Sequence, residues 1–107
     1  MTPAGDYSRE YDVYLPTKTS RGAPIPERSI QRIKTRVLKM FGGYTHLFQP
    51  MEGVWKMGGV TFVEGVSILR VIDTAKSDKR IIALKRYVQR ALEQKQVLVV
   101  ERGVRLL

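Results

Sequence analysis

The segment PERSIQRIKTRVLKMFGG, residues 26–43, is the clearest indicator of the fold. Its apolar residues recur at intervals of three and four, the spacing that places side chains on one side of an α-helix. Pro26 is typical of the start of a helix, and Gly42 with Gly43 provides a left-handed stop. We predict an amphipathic helix that faces a core through Ile30, Ile33, Val37, Leu38 and Phe41.

Strand patterns lie on both sides of this helix. Runs rich in β-branched and aromatic residues, bounded by Pro and Gly, indicate strands. Four such runs are predicted, at residues 11–15, 44–48, 65–72 and 97–100, the last extending up to residue 107. Between the second and the third, residues 54–62 are predicted to form a hairpin that turns at Gly58 and Gly59.

A second helix is predicted after residue 78, because Ser77 or Asp78 suits a helix cap. Its apolar stripe is Ile81, Leu84, Val88, Ala91 and Leu92. Strand, helix, two strands, helix and strand is the split βαβ order. We therefore predict an α+β, ferredoxin-like βαββαβ fold, in which a four-stranded antiparallel sheet carries both helices on one face. Residues 1–10 are predicted to be a flexible N-terminal arm and residues 11–107 a single domain.

The predicted strands suggest how the chain assembles. Residues 67–72 and 97–100 are apolar on both faces, whereas the helices cover only one face of the sheet. A second copy of the chain would cover the other face, so we predict a homodimer packed sheet to sheet. The alternative is a monomer whose hairpin and N-terminal arm fold across the open face.

Composition restricts the partners of the chain. It has 107 residues, no cysteine, and 19 Lys and Arg against 10 Asp and Glu, which gives a formal net charge of +9. Such a charge attracts nucleic acid or an acidic protein partner. No apolar run approaches the roughly 18 residues of a membrane span, and residues 1–6 do not resemble a secretory signal. We expect a cytoplasmic protein without a membrane partner.

The basic residues fall on the outer faces of the two predicted helices. The candidates for binding an anion or nucleic acid are Arg28, Arg32, Arg36, Lys39, Lys79, Arg86 and Arg90. Neutralised phosphates release counterions, so such a surface would bind nucleic acid in a salt-dependent manner. The alternative is two solvated helix faces that happen to be basic. An RNA-recognition motif shares the strand order, but Val60 and Gly65 stand where its stacking rings are expected.

Signals for catalysis are few, and no catalytic residue, metal ligand or cofactor is predicted. His46 lies between apolar neighbours, which is typical of a structural histidine. No nucleophile elbow or phosphate-binding loop is present. Four acidic residues lie on or beside strands, Asp12, Glu52, Glu64 and Asp73. One of them, Asp12, would serve a metal-dependent nuclease if a dimer axis joined two copies.

One group of residues suggests a ligand cleft. A Trp at the base of a glycine hairpin, close to two acids, would line such a cleft. The candidates are Tyr14, Glu52, Trp55, Glu64 and Arg70. The alternative is structural: Trp55 would plug the open sheet face or the dimer seam, while Arg70 pairs with an acid.

Several short segments resemble those of small uncharacterised bacterial proteins of about this length. They are Tyr14-Leu15-Pro16, Pro24-Ile25-Pro26, Phe41-Gly42-Gly43, Glu52-Gly53-Val54-Trp55 and Val97-Leu98-Val99. The resemblance implies a ferredoxin-like domain and brings no activity. The sequence thus predicts a non-catalytic binding or adaptor domain, with nucleic-acid binding and a small-molecule enzyme or nuclease as alternatives.

Overall fold

The computed structural model describes residues 7–75 and 77–107. Its elements are β1 Tyr7–Pro16, α1 Glu27–Phe41, β2 Thr45–Met57, β3 Val60–Asp73, α2 Lys79–Ala91 and β4 Val99–Arg105. The four strands form one antiparallel sheet in the order β2-β3-β1-β4, which is the split βαβ arrangement. The α+β prediction is confirmed. Neither helix is long and apolar enough, over the residues described, to cross a membrane.

One buried cluster holds the helices on the sheet. Alternate side chains of β1 and β3 face it, as the two-residue period of a strand requires. Its members are Tyr11, Val13, Leu15, Ile33, Val37, Leu69, Val71, Ile81, Leu84, Val88, Leu92 and Val97. Because residues of α1 and α2 share this cluster, both helices cover the same face. The prediction for Leu38 is wrong: this residue is 54% exposed, since it lies about 100° round the helix from Val37.

Both terminal strands differ from their predicted bounds. β1 begins at Tyr7, so residues 7–10 of the predicted arm belong to the sheet, while residues 1–6 lie outside the described part of the chain. The reason is β4, which continues to Arg105 and pairs that residue with Tyr7. β4 itself begins at Val99 rather than at Val97.

β2 and β3 form one long hairpin instead of two strands and a separate turn. β2 runs through Pro50, where the prediction ended a strand, and the register shifts between Leu47 and Met51. Proline is tolerated there because β2 is an edge strand and the irregularity removes the need for its missing N–H. The turn lies at Gly58 and Gly59, as predicted, with φ of 60° and 80°.

A buried carboxylate ties β3 to both helices. Asp73 is 1% exposed, and its Oδ1 accepts hydrogen bonds from Arg80 Nη2 at 2.8 Å and from the backbone N–H of Ala75 at 2.9 Å. Arg80 Nη1 also donates to the carbonyl of Met40 at 2.6 Å, at the end of α1. The Asp73–Arg80 pair therefore fixes the start of α2 against the end of α1.

Candidate functional site

The face of the sheet away from the helices carries an ion cluster at its centre. Glu10 and Asp12 on β1 lie between Arg70 on β3 and Arg102 on β4. Arg70 donates to both oxygens of Asp12, at 2.8 and 3.1 Å, and Arg102 Nη2 donates to Oδ2 at 2.6 Å. Glu10 pairs with Arg70 at 3.3 Å and with Arg102 at 3.2 Å. We call these four residues the open-face ion cluster.

The cluster has no net charge, and both oxygens of its central carboxylate, Asp12, accept hydrogen bonds from arginine. Asp12 is 3% exposed, and the hydrogen bond from Arg70, reinforced by that from Arg102, holds its pKa below the usual value. Because these hydrogen bonds come from the two guanidinium groups, Asp12 acts in this arrangement as an ion-pair partner. Within residues 7–75 and 77–107, no group of three or more metal-ligating side chains is found.

Apolar side chains surround the ion cluster. They belong to positions that share its face by strand alternation and register. Ile72 is 39% exposed, and its neighbours on this face are Leu47, Ile68, Leu98, Val100 and Val104. The open face is therefore an apolar surface around a charge cluster that needs no further partner.

The far end of the β2–β3 hairpin extends beyond the sheet. β1 ends at Pro16 opposite Val66, and the N–H of Thr17 still donates to the carbonyl of Gly65, so among the described residues the pairing with β1 stops there. Both faces of this overhang expose apolar side chains, among them Val54, Trp55, Met57, Val60, Phe62 and Val63. The strands run on past β1 instead of folding back over the open face.

The structure brings two of the five cleft candidates together. Glu64 lies opposite Gly53, and the ring of Trp55 lies against Gly53, where a Cβ would meet a ring carbon at 2.7 Å. Glu64 is partly buried, and this burial raises its pKa. No described residue forms an ion pair with Glu64.

Of the other three candidates, Glu52 borders a groove together with Glu64, whereas Tyr14 and Arg70 lie farther along the sheet. Glu52 is opposite Gly65 and thus on the other face of the hairpin, Tyr14 is opposite Ile68, and Arg70 belongs to the ion cluster. Arg70 is six residues from Glu64 along β3, a distance of about 20 Å. A groove of about 370 Å³ opens where β1 ends, lined by Thr17, Lys18, Met51, Glu52, Val63, Glu64 and Gly65. The sequence did not indicate Thr17 and Lys18 as groove residues, because only the register of the sheet places the end of β1 beside the hairpin.

The seven basic candidates are all exposed on the outer sides of α1 and α2. A groove of about 540 Å³ is bordered by Arg32, Arg36 and Lys39 and by Tyr87 of α2. The guanidinium carbon of Arg36 lies 4.0 Å from the centre of the Tyr87 ring, a cation–π contact. Tyr87 was not singled out from the sequence, although it lies among basic residues on α2.

His46 is partly buried on the helix side of β2. Its Nε2 lies 3.2 Å from the hydroxyl of Ser67, and desolvation lowers its pKa. Its ring also lies 6.1 Å from that of Phe48. These contacts fit the structural interpretation of this residue.

Comparison with known proteins places the chain by its fold. No family model matches the sequence. The curated proteins contain no significant match either. Among solved structures, a phage SAM lyase in complex with S-methyl-5'-thioadenosine aligns with a TM-score of 0.69 and 15% identity, over 95% of this chain and 85% of that one.

Two proteins named CutA1 are also similar in structure. CutA1 from Oryza sativa aligns with a TM-score of 0.65 and 14% identity, over 94% of this chain and 83% of that chain. The divalent cation tolerance protein CutA1 from Thermus thermophilus gives 0.64 and 10%, over 92% and 84%. At such identities the likeness is one of fold: the chain has the α+β architecture of these proteins.

Proposed function

We propose that the protein is a small binding domain that assembles as a homo-oligomer, with two copies packed through the open sheet face. The observation that carries the proposal is the apolar surface around the open-face ion cluster. Burying charges in an interface costs less when they are already paired than when they lack a partner. The cluster pairs two acids with two arginines, so a partner surface need only supply apolar contacts.

The distribution of charge supports a second copy as the partner. The excess of positive charge lies on α1 and α2, on the opposite side of the sheet. Two copies that meet sheet to sheet keep these helices outward and apart, which limits the repulsion between them. The exposed apolar residues of the hairpin overhang would extend the same contact.

We expect static light scattering at micromolar concentration to give a mass at least twice that of one chain. Ile72→Glu should shift this mass to that of the monomer, because it places a charge on the open face. Ile82→Glu is the matched control, since Ile82 is 46% exposed on the outer side of α2. A monomeric wild-type protein, or equal effects of the two substitutions, would contradict the proposal.

A second candidate function is the binding of a small molecule beside Trp55 and Glu64. Two features favour it: a partly buried carboxylate without an ion-pair partner in the described chain, and an indole ring next to it. The phage SAM lyase of similar fold was solved with S-methyl-5'-thioadenosine. That compound is a suitable first probe, because its adenine offers donors to Glu64 and a ring for stacking on Trp55.

Trp55 is the single tryptophan of the chain, so its fluorescence reports directly on this site. We expect S-methyl-5'-thioadenosine to change the emission in a saturable manner. Glu64→Gln should weaken this response by about tenfold, the loss of one charge-assisted hydrogen bond. Glu101→Gln, on β4, should leave it unchanged. An absent response up to millimolar ligand would remove this candidate.

A further inference from the structure

The net positive charge of the protein resides on its two helices. α1 and α2 contain ten Lys and Arg residues and one acidic residue, Glu27, a net of +9. The whole chain also has a net charge of +9, so all other residues together are neutral. The sheet side and the helix side therefore differ sharply in electrostatic potential.

Most of these helix cations have no ion-pair partner among the described residues. Of the ten, Arg80 pairs with Asp73, and no ion pair links any of the other nine to a carboxylate in the described residues. Like charges on neighbouring helical turns repel one another. The fold thus maintains an unfavourable positive surface, which an external anion would relieve.

The cations are arranged as a row rather than as a pocket. Arg28, Arg32, Arg36 and Lys39 follow one side of α1 over eleven residues, a length of about 16 Å. On α2, Arg90 stands one turn from Tyr87, which closes the groove opposite Arg36. A compact anion needs donors that converge on one point, whereas a row of separated cations matches a polymer of phosphates.

We propose that the groove between α1 and α2 binds the phosphodiester backbone of nucleic acid. Arg36 covers the ring of Tyr87 at 4.0 Å, so this ring does not serve as a platform for a base. Binding is consequently electrostatic and independent of sequence. Between the cations of α1, the groove is lined by the polar side chains Gln31 and Thr35, which are compatible with a solvated phosphate backbone.

This function does not depend on the assembly proposed above. The helices lie on the covered side of the sheet, away from the open face, so a monomer and a sheet-to-sheet dimer both present the groove. In the dimer, two grooves on opposite sides would contact separate segments of one long nucleic acid and raise its apparent affinity.

The test is the binding of a fluorescent single strand of about 20 nucleotides, and of its duplex, as a function of salt. We expect at least one probe to bind at about 50 mM salt. The logarithm of its association constant should fall linearly with the logarithm of the salt concentration. The triple variant Arg32→Ala, Arg36→Ala, Lys39→Ala should bind at least about tenfold more weakly, and its salt slope should be smaller by about 2.

The matched control removes three charges outside the helices, Arg21→Ala, Lys56→Ala and Lys95→Ala, and should bind within about twofold of the wild type. If the groove variant fails to fold, Arg32→Ala with Lys39→Ala keeps the Arg36–Tyr87 contact and tests the same row. Three results would overturn the proposal: no binding of either probe, equal losses in variant and control, or displacement of both probes by phosphatidylserine vesicles.

Discussion

Replacing Arg80 with methionine is expected to lower the free energy of unfolding by about 3 kcal/mol. Asp73 has no exposed side-chain surface, and Arg80 is its ion-pair partner at 2.8 Å. Methionine keeps the apolar stem of the side chain and removes the guanidinium, so a carboxylate is left buried without a counter-ion. The figure lies at the lower end for buried pairs because Arg80 itself is 42% exposed. Urea unfolding followed by circular dichroism measures the change.

A second variant separates the loss of the pair from the loss of packing. In Asp73→Ala with Arg80→Met, both charges are absent, so the double variant should be more stable than Arg80→Met alone. Arg80→Lys should recover part of the stability, since an ammonium reaches the carboxylate without reproducing the second bond to Met40. If the double variant is the least stable of the three, the buried charge is not the cause.

Replacing Asp12 with alanine is expected to lower the free energy of unfolding by about 2–3 kcal/mol. The substitution leaves Arg70 and Arg102 facing each other, with only the longer contacts to Glu10 to separate them. Glu101→Ala is the control, because Glu101 is half exposed and its contact with Arg9 is 3.4 Å long. Surface pairs of that kind contribute little to stability. Equal losses in the two variants would contradict the role given to Asp12.

The contribution of Asp12 should also depend on pH in a defined direction. The arginines hold its folded-state pKa below the unfolded value of about 3.9, so the stabilisation is present above that pH and disappears as the pH falls further. The difference in free energy of unfolding between the wild type and Asp12→Ala should be largest at neutral pH and should become smaller below about pH 4. A gap that is constant down to about pH 2 would show that the charge is not what stabilises the cluster.

The helices were predictable because their signals are local. Ile33 and Val37 mark the buried side of α1, and Gly42 adopts the left-handed φ of 81° that ends it. In α2, Ile81, Leu84 and Val88 do the same. The buried side and the end of a helix follow from residues within one or two turns, so they can be predicted without knowing which distant residues pack against it.

The strands were less predictable because their limits depend on partners. Tyr7 joins the sheet only because Arg105 lies opposite, and Pro50 remains inside β2 only because the register shifts beside it. Neither condition is visible in the local sequence. The result is a longer hairpin and a longer first strand than the local pattern indicates.

The open-face ion cluster shows the same limit at the candidate site. Glu10 and Arg102 are 92 residues apart, and only the register of β1 with β4 makes them neighbours. Arg70 had been grouped with Glu52 and Glu64, whereas its partners are Asp12 and Glu10. The usable signal was the spacing of Glu10 and Asp12, which are two residues apart and so lie on one face of the strand.

The central place of β1 also constrains how the protein is made. β1 is the first strand in the chain, yet its neighbours are β3 and β4, and Tyr7 pairs with Arg105. At about 5–20 residues per second, synthesis of the intervening chain takes several seconds. β1 has two unpaired edges until β3 is made, and the edge that β4 will occupy stays unpaired until the end of this period. The nascent chain is therefore most exposed to misassociation before its last seven-residue strand leaves the ribosome.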